Sequence, residues 1–288
     1  MSHASTLRKL LAADAPVIGP GVYDGLTALL VQQAGFDCAY LSGASVSFTR
    51  LGRPDIGLMT MTEVANTVSN IRERIDIPLV VDGDTGFGNA LNVQRTIRLF
   101  ERQGASGIQL EDQTSPKRCG HLDGKELISI DEMVGKIHAA QDARADDDTV
   151  IIARTDAIAV IGIDEAMKRG AAYIEAGADV LFVESPLDDE QLAKVGADLG
   201  RQIPLLANMV EGGKTPLHSA AELGQLGFKL VIFPGAMLRM LSRAATEYLA
   251  VLKRDGTTVG LMERMFDFKQ ANDMIGTAEM LAISKKYE

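Results

Sequence analysis

One pattern occurs four times along the chain: a helix-like segment, a break at glycine, and then a short apolar run. The copies are VQQAGFDCAYLSG, ERQGASGIQLED, IEAGADVLFVES and GQLGFKLVIFPG. Glycine ends a helix at low cost because it accepts the left-handed backbone conformation. The apolar runs have the length and continuous hydrophobicity of strands that are buried on both faces. The pattern therefore predicts repeated turns from a helix into a strand of a parallel sheet.

Four further apolar runs, APVIGPG, IPLVVDGD, DTVIIARTD and IPLLANM, bring the number of candidate strands to eight. The strands are expected near residues 16–21, 38–43, 78–84, 107–112, 149–155, 180–185, 204–209 and 230–235. Eight strands that alternate with helices predict a (β/α)8 barrel of the TIM type, with a doubly wound open sheet as the alternative. We expect one barrel domain over residues 1–288, in which 237–288 form a C-terminal helical extension.

Composition narrows the class of protein. A chain of 288 residues, 46% of them hydrophobic, can bury a large core as a single domain. The formal charge of −10 disfavours nucleic acid and anionic membranes as partners, although local cations can still attract an anionic substrate. No apolar run has the length of a signal peptide core or of a membrane span, so we expect a cytoplasmic protein. Two cysteines, Cys38 and Cys119, are too few for a disulfide framework, and both are expected to be free thiols.

Polar and charged residues collect where the predicted strands end, which is where barrel enzymes carry their active sites. Any one of these residues could simply meet solvent at the end of a strand, but their repetition from strand to strand favours a site. The set comprises Tyr40, Ser42, Gly43, Asp82, Asp84, Glu111, Asp112, Arg154, Asp156, Glu184, Asn208 and Glu211.

The motif VVDGDTGFGN gives the strongest single indication of chemistry. Successive strand side chains alternate between faces, so Asp82 and Asp84 are expected to point to the same side, at the mouth of the barrel. Two close carboxylates repel each other unless a cation lies between them, and Mg²⁺ accepts one or two carboxylates while it keeps several waters. Glu111, and Asp55 in GRPDIG, could hold those waters. The alternative is a glycine-capped turn, which would need only one aspartate.

Two other motifs bear on the ligand. GFGN lacks the third glycine of a dinucleotide-binding loop, and no G-x-x-x-x-G-K-S/T occurs in the chain, so nucleotide binding is disfavoured. In ARTDA, Arg154 follows an apolar strand and could pair with a substrate carboxylate through two parallel hydrogen bonds. A structural ion pair with an acid on a neighbouring strand is an equal alternative for this arginine.

The motif KRCGH contains Cys119 and His121. A zinc site needs about four nitrogen or sulfur ligands, and this segment offers only two. The surrounding segment, TSPKRCGHLDGKE, is polar and is predicted to be a mobile loop after strand four. The nearby Lys117, Arg118 and His121 are expected to lower the pKa of the thiol into a range that suits proton transfer. The alternative is an incidental loop cysteine.

Taken in order, the motifs resemble those of the isocitrate lyase and phosphoenolpyruvate mutase superfamily. The resemblance rests on YLSGASVS, RPDIGLMT, DGDTGFGN, LEDQTSPKRCGH, ARTDA, VES, ANMVEGGKTP and FPG, which span nearly the whole chain. It implies a (β/α)8 barrel in a homotetramer whose terminal helices are exchanged between neighbours. It also implies a Mg²⁺ ion, for which Mn²⁺ can substitute, at Asp82, Asp84 and Glu111 with Asp55 in support.

The resemblance implies roles for further residues. Ser42, Gly43, Ala44 and Arg154 match positions that hold an α-keto or α-hydroxy acid, and the cysteine of CGH exchanges a proton with a departing carbanion. Tyr40 is a candidate for the base that forms the alkoxide. The remaining candidate residues for catalysis or substrate contact are Gly120, His121, Glu184, Asn208, Thr215 and Pro234.

The branch of the family sets the expected substrate. GNALNVQRT and NMVEGGKTP resemble 2-alkylmalate lyases and oxaloacetate hydrolases, whereas methylisocitrate lyases more often carry threonine and phenylalanine at Val210 and Gly212. We therefore expect a magnesium-dependent lyase that cleaves a small hydroxy diacid, such as 2,3-dimethylmalate, to pyruvate and a second carboxylate. The alternatives are a methylisocitrate lyase, an oxaloacetate hydrolase or decarboxylase, a carboxyphosphonoenolpyruvate mutase-type enzyme, and a barrel that binds keto acids without catalysis.

Overall fold

The computed structural model describes residues 2–288, and within them eight parallel strands form a closed barrel. Each strand pairs with the next one along the chain, and β1 pairs with β8 to complete the ring. The strands are β1 Val17–Val22, β2 Ala39–Leu41, β3 Leu79–Asp82, β4 Gly107–Glu111, β5 Val150–Thr155, β6 Val180–Val183, β7 Leu205–Asn208 and β8 Phe228–Phe233. The (β/α)8 prediction is confirmed, and closure of the ring excludes the open sheet.

Helices connect the strands and continue after the last one. Those of the barrel are α1 His3–Leu11, α2 Gly25–Gln33, α3 Gly43–Leu51, α4 Met61–Arg72, α5 Ala90–Arg102, α6 Ile130–Ala143, α7 Ile158–Ile161, α8 Ile163–Glu175, α9 Asp189–Leu199 and α10 Ala220–Gln225. After β8 come α11 Ala236–Asp255, a 3₁₀ helix Val259–Arg264, α12 Phe268–Ile275 and α13 Thr277–Ser284.

The four glycines of the recurring pattern all have a left-handed backbone. Gly35, Gly104, Gly177 and Gly227 have φ values of 83°, 98°, 91° and 99°. Each lies just after the end of a helix and just before a strand. Residues with a Cβ atom rarely adopt this conformation, so glycine at these four positions allows the helices to turn directly into β2, β4, β6 and β8.

The barrel interior is filled by apolar side chains, and one end of it is closed by a helix. Tyr40, Ile152 and Phe182 belong to the interior cluster together with Leu7 and Leu11 of α1. A Cβ atom on Gly107, at the start of β4, would lie 3.1 Å from Leu7 Cδ2. Because α1 packs against the beginnings of the strands, the polar ends of the strands are left at the opposite mouth.

The chain divides into two compact units, of which the first ends at Met237 and the second is Leu238–Glu288. In the second unit, α12 and α13 bury none of their residues, although several are large and apolar. Phe268, for example, is 88% exposed. Among the described helices, none combines the length and the hydropathy that a membrane span would require.

Replacement of glycine by alanine should have opposite effects on stability at two helix positions, one tightly packed and one open. A Cβ atom on Gly196, in α9, would lie 1.9 Å from the carbonyl oxygen of Leu226, whereas a Cβ atom on Gly135, in α6, would meet nothing within 4 Å. Gly196→Ala should lower the free energy of unfolding by about 1–3 kcal/mol. Gly135→Ala should raise it by about 0.5–1 kcal/mol through helix propensity. Urea denaturation followed by circular dichroism measures both, and equal stability of the two variants would contradict the packing described here.

Candidate active site

Six buried carboxylates gather at the mouth of the barrel formed by the C-terminal ends of the strands. Each of these residues is at most 8% exposed, and they are linked to one another through shared cationic or amide partners. The six are Asp55, Asp82, Asp84, Glu111, Asp156 and Glu184. The structure therefore brings the acids that follow β3, β4, β5 and β6 into one site, together with Asp55 from the loop after α3.

Asp82 and Asp84 lie side by side, but not because of strand alternation. Strand β3 ends at Asp82, and Asp84 has a left-handed φ of 48°. The backbone N–H of Asp84 donates to Asp82 Oδ1 at 3.2 Å. A Cβ atom on Gly43 would lie 3.0 Å from Asp82 Oδ2 and 3.4 Å from Asp84 Oδ1. A turn after the strand thus points both acids toward the start of α3, where glycine leaves space.

Lys117 supplies the positive charge nearest to this acid pair. Its Nζ lies 2.7 Å from Asp55 Oδ1 and 2.7 Å from Asp84 Oδ1. Burial would lower the pKa of this ammonium, but Asp84 and Asp55 raise it well above its ordinary value. Lys117 is therefore a fixed cation of the acid cluster, a position that its place in KRCGH did not reveal.

Buried polar atoms without a hydrogen-bond partner are concentrated at the site. Six such side-chain atoms occur in residues 2–288, and four of them belong to predicted site residues: Asp84 Oδ1, Glu111 Oε1, His121 Nε2 and Asn208 Oδ1. The contact of Asp84 Oδ1 with Lys117 is an ion pair without hydrogen-bond alignment. Since buried polar groups are nearly always paired in folded proteins, these atoms mark where a ligand would complete the site.

The environment of the acids near Asp84 favours a bound cation. Burial raises the pKa of Asp84 to about 6 and that of Glu111 well above its ordinary value, so both ionised forms lack full compensation within the chain. Across residues 2–288, no three His, Cys, Asp or Glu side chains are arranged to hold a metal ion by themselves. A magnesium ion that keeps several waters needs only one or two direct carboxylates, which Glu111 Oε1, without a hydrogen-bond partner, and the acid pair beside Gly43 can supply.

Arg154 lies among three acids. It donates two hydrogen bonds to Asp156, from Nε at 2.9 Å and from Nη2 at 3.0 Å. Glu111 Oε2 and Glu184 Oε2 lie 3.4 and 3.5 Å from its Nη1 and Nη2. Burial would lower the pKa of the guanidinium, but Asp156 and Glu111 raise it well above its ordinary value. The predicted substrate arginine therefore also makes the structural ion pair that was its alternative role.

The loop after β4, which we call the lid and define as residues 114–126, covers the site. An antiparallel bridge between Gln113 and Leu127 joins its two ends. Near its tip, the N–H of Cys119 donates to the carbonyl oxygen of Asp55 at 3.1 Å. A Cβ atom on Gly120 would lie 2.5 Å from Arg154 Nη2 and 2.8 Å from Glu184 Cδ. The lid is therefore closed, and only glycine fits where it touches Arg154.

Cys119 has a different environment from the one that its sequence neighbours suggested. Burial raises the pKa of its thiol, and Asp55 adds to that effect, while a backbone hydrogen bond with His121 and the charge of Arg154 oppose it. Lys117 points to the acids instead, and Arg118 Nη1 donates to the carbonyl oxygen of Asp123 at 2.9 Å. The prediction of a lowered thiol pKa is wrong, because residues adjacent in sequence direct their charges elsewhere.

Tyr40 lies in a buried chain of hydrogen bonds. Its hydroxyl donates to Gln109 Oε1 at 3.0 Å, and Gln109 Nε2 in turn donates to Asp82 Oδ1 at 3.2 Å. Burial raises the pKa of the phenol well above its ordinary value, and Asp82 adds to the shift. Both effects favour the neutral phenol, and the role of Tyr40 as the alkoxide-forming base stays a prediction. Through Gln109, Tyr40 also orients Asp82.

The predicted acid-binding residues lie at the start of α3. Ser42 is the N-cap, and its Oγ accepts from the N–H of Ser45 at 3.2 Å. The N–H groups in the first turn of a helix have no partner within the helix and favour anions. Gly43 and Ala44 occupy that turn beside the acid pair. This end of α3 can therefore hold a carboxylate close to a cation bound by Asp84.

His121 connects the lid to the loop after β7. Its Nδ1 accepts from the N–H of Lys214 at 3.3 Å, so the neutral ring carries its proton on Nε2, 3.6 Å from Glu184 Oε1. Asn208 Nδ2 donates to Glu184 Oε2 at 3.1 Å. Burial lowers the pKa of His121, although Glu184 opposes the shift. These residues form the side of the site opposite the acid pair.

The remaining two candidates are Thr215 and Pro234. Thr215 borders a small cavity that Asn208 and Phe182 also line. The carbonyl oxygen of Pro234 accepts from Ser45 Oγ at 3.1 Å. Their contact with a substrate stays a prediction.

Four residues of the site were missed by the candidate assignments from sequence: Gln109, Lys117, Lys125 and Asp156. Gln109 could have been found as the polar residue inside the apolar strand GIQLE, because a buried amide in a strand requires partners. Asp156 belongs to the polar residues predicted at the strand ends, but the sequence indicated no specific role for it. Lys125 has no signal in a polar loop that would distinguish it from a solvated lysine.

Comparison with known proteins places this geometry in a family. The phosphoenolpyruvate phosphomutase family matches residues 7–252 of the chain. The 2,3-dimethylmalate lyase of Eubacterium barkeri is 45% identical over 287 residues, which cover 100% of this chain and 99% of the relative. The 2-methylisocitrate lyase of Aeropyrum pernix is 43% identical over 270 residues, which cover 94% of this chain and 86% of the relative.

Solved structures agree with the sequence relatives. A crystal structure of 2,3-dimethylmalate lyase has a TM-score of 0.94 and 37% identity, covering 100% of this chain and 96% of that one. Oxaloacetate acetylhydrolase with 3,3-difluorooxalacetate has a TM-score of 0.94 and 36% identity, covering 99% and 97%. Phosphonopyruvate hydrolase with oxalate and Mg²⁺ has a TM-score of 0.89 and 34% identity, covering 100% and 99%. With the family matched over residues 7–252 and relatives above 40% identity over most of its length, the chain belongs to the phosphoenolpyruvate mutase/isocitrate lyase superfamily.

Proposed function

We propose that the protein is a magnesium-dependent carbon–carbon lyase that cleaves a 2-alkylmalate-type hydroxy diacid to pyruvate and a second carboxylate. The observation that carries this proposal is the position of Cys119 on a closed lid, beside a glycine that touches Arg154 and Glu184. A thiol in that place can protonate a carbanion that leaves the site. The 45% identity to a 2,3-dimethylmalate lyase over the whole chain supports 2,3-dimethylmalate as the model substrate.

Asp84 and Glu111 would hold the magnesium ion directly or through water, with Asp82 and Asp55 in support. When bound, the ion acts as a Lewis acid toward the carboxylate and hydroxyl oxygens of the substrate and offsets the negative charge that develops there. Asp82 is oriented for this role by Gln109, and Asp55 by Lys117. The excess of buried acids over buried cations attracts a divalent ion to this point.

The chain's own groups position the substrate and move one proton. The α3 N-terminus, at Gly43 and Ala44, binds the carboxylate next to the carbinol carbon, and Arg154 stabilises the charge that develops during cleavage. The hydroxyl proton passes to a base, for which Tyr40 stays the candidate, the C2–C3 bond breaks, and its electron pair passes to C3. Cys119 Sγ then donates its proton to C3, so that 2,3-dimethylmalate yields pyruvate and propionate. The closed lid keeps water away from the carbanion until that transfer.

Oxaloacetate hydrolysis is the second candidate, since oxaloacetate acetylhydrolase has the same fold with a TM-score of 0.94. The products separate the two functions. A lyase releases pyruvate from 2,3-dimethylmalate, whereas a hydrolase releases oxalate and acetate from oxaloacetate. We expect pyruvate release in a screen of 2-alkylmalates, methylisocitrate and oxaloacetate, and oxalate release alone would contradict the lyase proposal. If turnover is highest on methylisocitrate, the lyase chemistry stands and the substrate is that of the methylisocitrate branch.

Removal of the metal tests the acid cluster. Activity should vanish in excess chelator and return with Mg²⁺ or Mn²⁺, because the buried carboxylates then lose the charge that offsets them. Asp84→Ala should bind neither metal nor pyruvate, whereas Asp198→Ala, on the exposed surface of α9, should behave as the parent. Calorimetric titration with Mg²⁺ measures binding without turnover. Full activity in excess chelator would refute the metal assignment.

Replacement of Cys119 tests the proton donor. Cys119→Ser should slow turnover by about a hundredfold or more, because a hydroxyl is a far weaker acid than a thiol. Pyruvate affinity should stay within a few-fold of the parent, since the thiol serves the other product. The donor must be protonated, and the raised thiol pKa keeps it so at neutral pH; activity should therefore fall at alkaline pH as the thiol loses its proton. Steady-state kinetics and pyruvate titration check both points, and unchanged turnover in Cys119→Ser would favour hydrolysis.

We also propose that the chain works in the cytoplasm as a homotetramer, in which the helical extension of residues 237–288 covers a neighbouring barrel. Both cysteines are free thiols, and α12 and α13 present unburied apolar residues such as Phe268. Light scattering at micromolar concentration should give four times the chain mass of 30.9 kDa. Phe268→Asp should shift the mass toward smaller species, whereas Lys269→Gln, at the next position, should not. A parent protein that runs as a monomer would contradict this assembly.

A further inference from the structure

A buried lysine near the base of the lid bonds both to the lid tip and to the partner of Arg154. The side chain of Lys125 is 1% exposed. Its Nζ donates to Asp156 Oδ1 at 3.0 Å and also to the carbonyl oxygen of Gly120. Gly120 follows Cys119 directly and lies against Arg154 and Glu184. One ammonium group therefore joins the residue beside the thiol to the carboxylate that holds the substrate arginine.

The backbone near Lys125 is fixed independently of the lid tip. Leu127, two residues further on, pairs with Gln113 in the bridge at the base of the lid. The N–H of Thr114 donates to the carbonyl oxygen of Glu126 at 2.8 Å. Lys125 therefore extends from an anchored part of the loop, whereas Gly120 belongs to the part that must move for a substrate to enter.

Asp156, the carboxylate to which Lys125 bonds, is also held in place. Asp156 is fully buried, and its N–H donates to Asp112 Oδ1 at 2.9 Å. Asp112 is held in turn by Thr155, Arg169 and Tyr173, whose donor atoms lie 2.7, 2.9 and 2.8 Å from its Oδ2. The contact between Lys125 and Asp156 thus joins two rigid parts of the barrel, and the contact with Gly120 is the one that closure of the lid can make or break.

We infer that Lys125 is a positioning residue that holds the lid closed by binding the Gly120 carbonyl, and so sets Cys119 against the carbon that it protonates. Arg154 already donates to both oxygens of Asp156, so the fold does not require Lys125 to keep that acid paired. What Lys125 adds is the bond to the lid. The role in protonation rests on the proposed function, whereas the hold on the lid does not.

Alkylation of Cys119 reports the position of the lid without turnover. Cys119 is partly exposed, and Cys38 is fully buried in the barrel core, so iodoacetamide should modify the folded protein at one site. Loss of the Lys125 charge cannot lower the thiol pKa, because a nearby cation favours the thiolate. Faster alkylation after its removal therefore reports a more open lid, which exposes the sulfur and relieves the burial that raises its pKa.

The experiment compares Lys125→Met with Lys194→Met, a change in an exposed ion pair of α9. Lys125→Met should be alkylated about tenfold faster than the parent or more, which corresponds to the loss of a hydrogen bond from a charged donor. Lys194→Met should match the parent, and Cys119→Ser gives the blank. In the turnover arm, Lys125→Met should lose about tenfold in kcat while pyruvate affinity stays within a few-fold, because proton transfer needs the closed lid.

Equal alkylation rates in parent, Lys194→Met and folded Lys125→Met would overturn the inference. If Lys125→Met does not fold, Lys125→Gln provides the same comparison with a shorter, uncharged side chain, and the same equality would refute the role. Should the parent release pyruvate from no diacid, the proposed function fails, and the alkylation rates still decide the role of Lys125. Normal lyase activity with unchanged alkylation would remove the role of Lys125 alone.

Discussion

The burial of six carboxylates at one mouth of the barrel is the constraint on which the rest of the site depends. Each ionised acid loses favourable hydration when it is buried, and the loss must be offset by cations, hydrogen bonds or a proton. In the described chain, the buried cations in contact with this group are Lys117, Lys125 and Arg154. Three positive charges against six acids leave a deficit, and burial raises the pKa of Asp84 and of Glu111, with Asp82 adding to both shifts. A divalent cation at this point would relieve both.

Lys117 belongs to the part of the lid that closes over the site, so closure of the lid also brings a cation to the acids. Lys117 reaches Asp55 and Asp84, and Lys125 reaches Asp156. When the lid opens, Lys117 moves away and water can reach the acids in its place. Closure therefore excludes water from the acids and brings positive charge to them at the same time. The added charge offsets the free-energy cost of removing that water. A glycine at position 120 is what allows this approach, because any side chain there would strike Arg154.

Sequence reasoning succeeded where the backbone period decides the outcome. Eight apolar runs and the glycines before them predicted the barrel, since the length of a strand and the left-handed turn are local properties. The strand ends then predicted which acids meet, because parallel strands deliver them to one mouth. The sequence reasoning failed where the direction of a side chain decides its partners. Lys117 lies two residues from Cys119, yet it pairs with Asp84 and Asp55. Asp156, a partner of Lys125, follows β5, and the partners of Gln109 come from β2 and β3; a single sequence carries no signal for such pairs.

The corrected environment of Cys119 changes the chemistry for which the thiol is suited. A thiol of lowered pKa would enter the closed site as a thiolate, ready to remove a proton. Burial under the lid raises its pKa instead, so the thiol enters protonated. The carbanion formed at C3 is far more basic than a thiolate, even one destabilised by burial and by Asp55, so transfer from sulfur to carbon remains downhill. Because the lid closes over the thiol before the C2–C3 bond breaks, Cys119 is protonated when the carbanion forms. The same desolvation that makes the acids require a cation therefore keeps the proton on Cys119 until a much stronger base appears beside it.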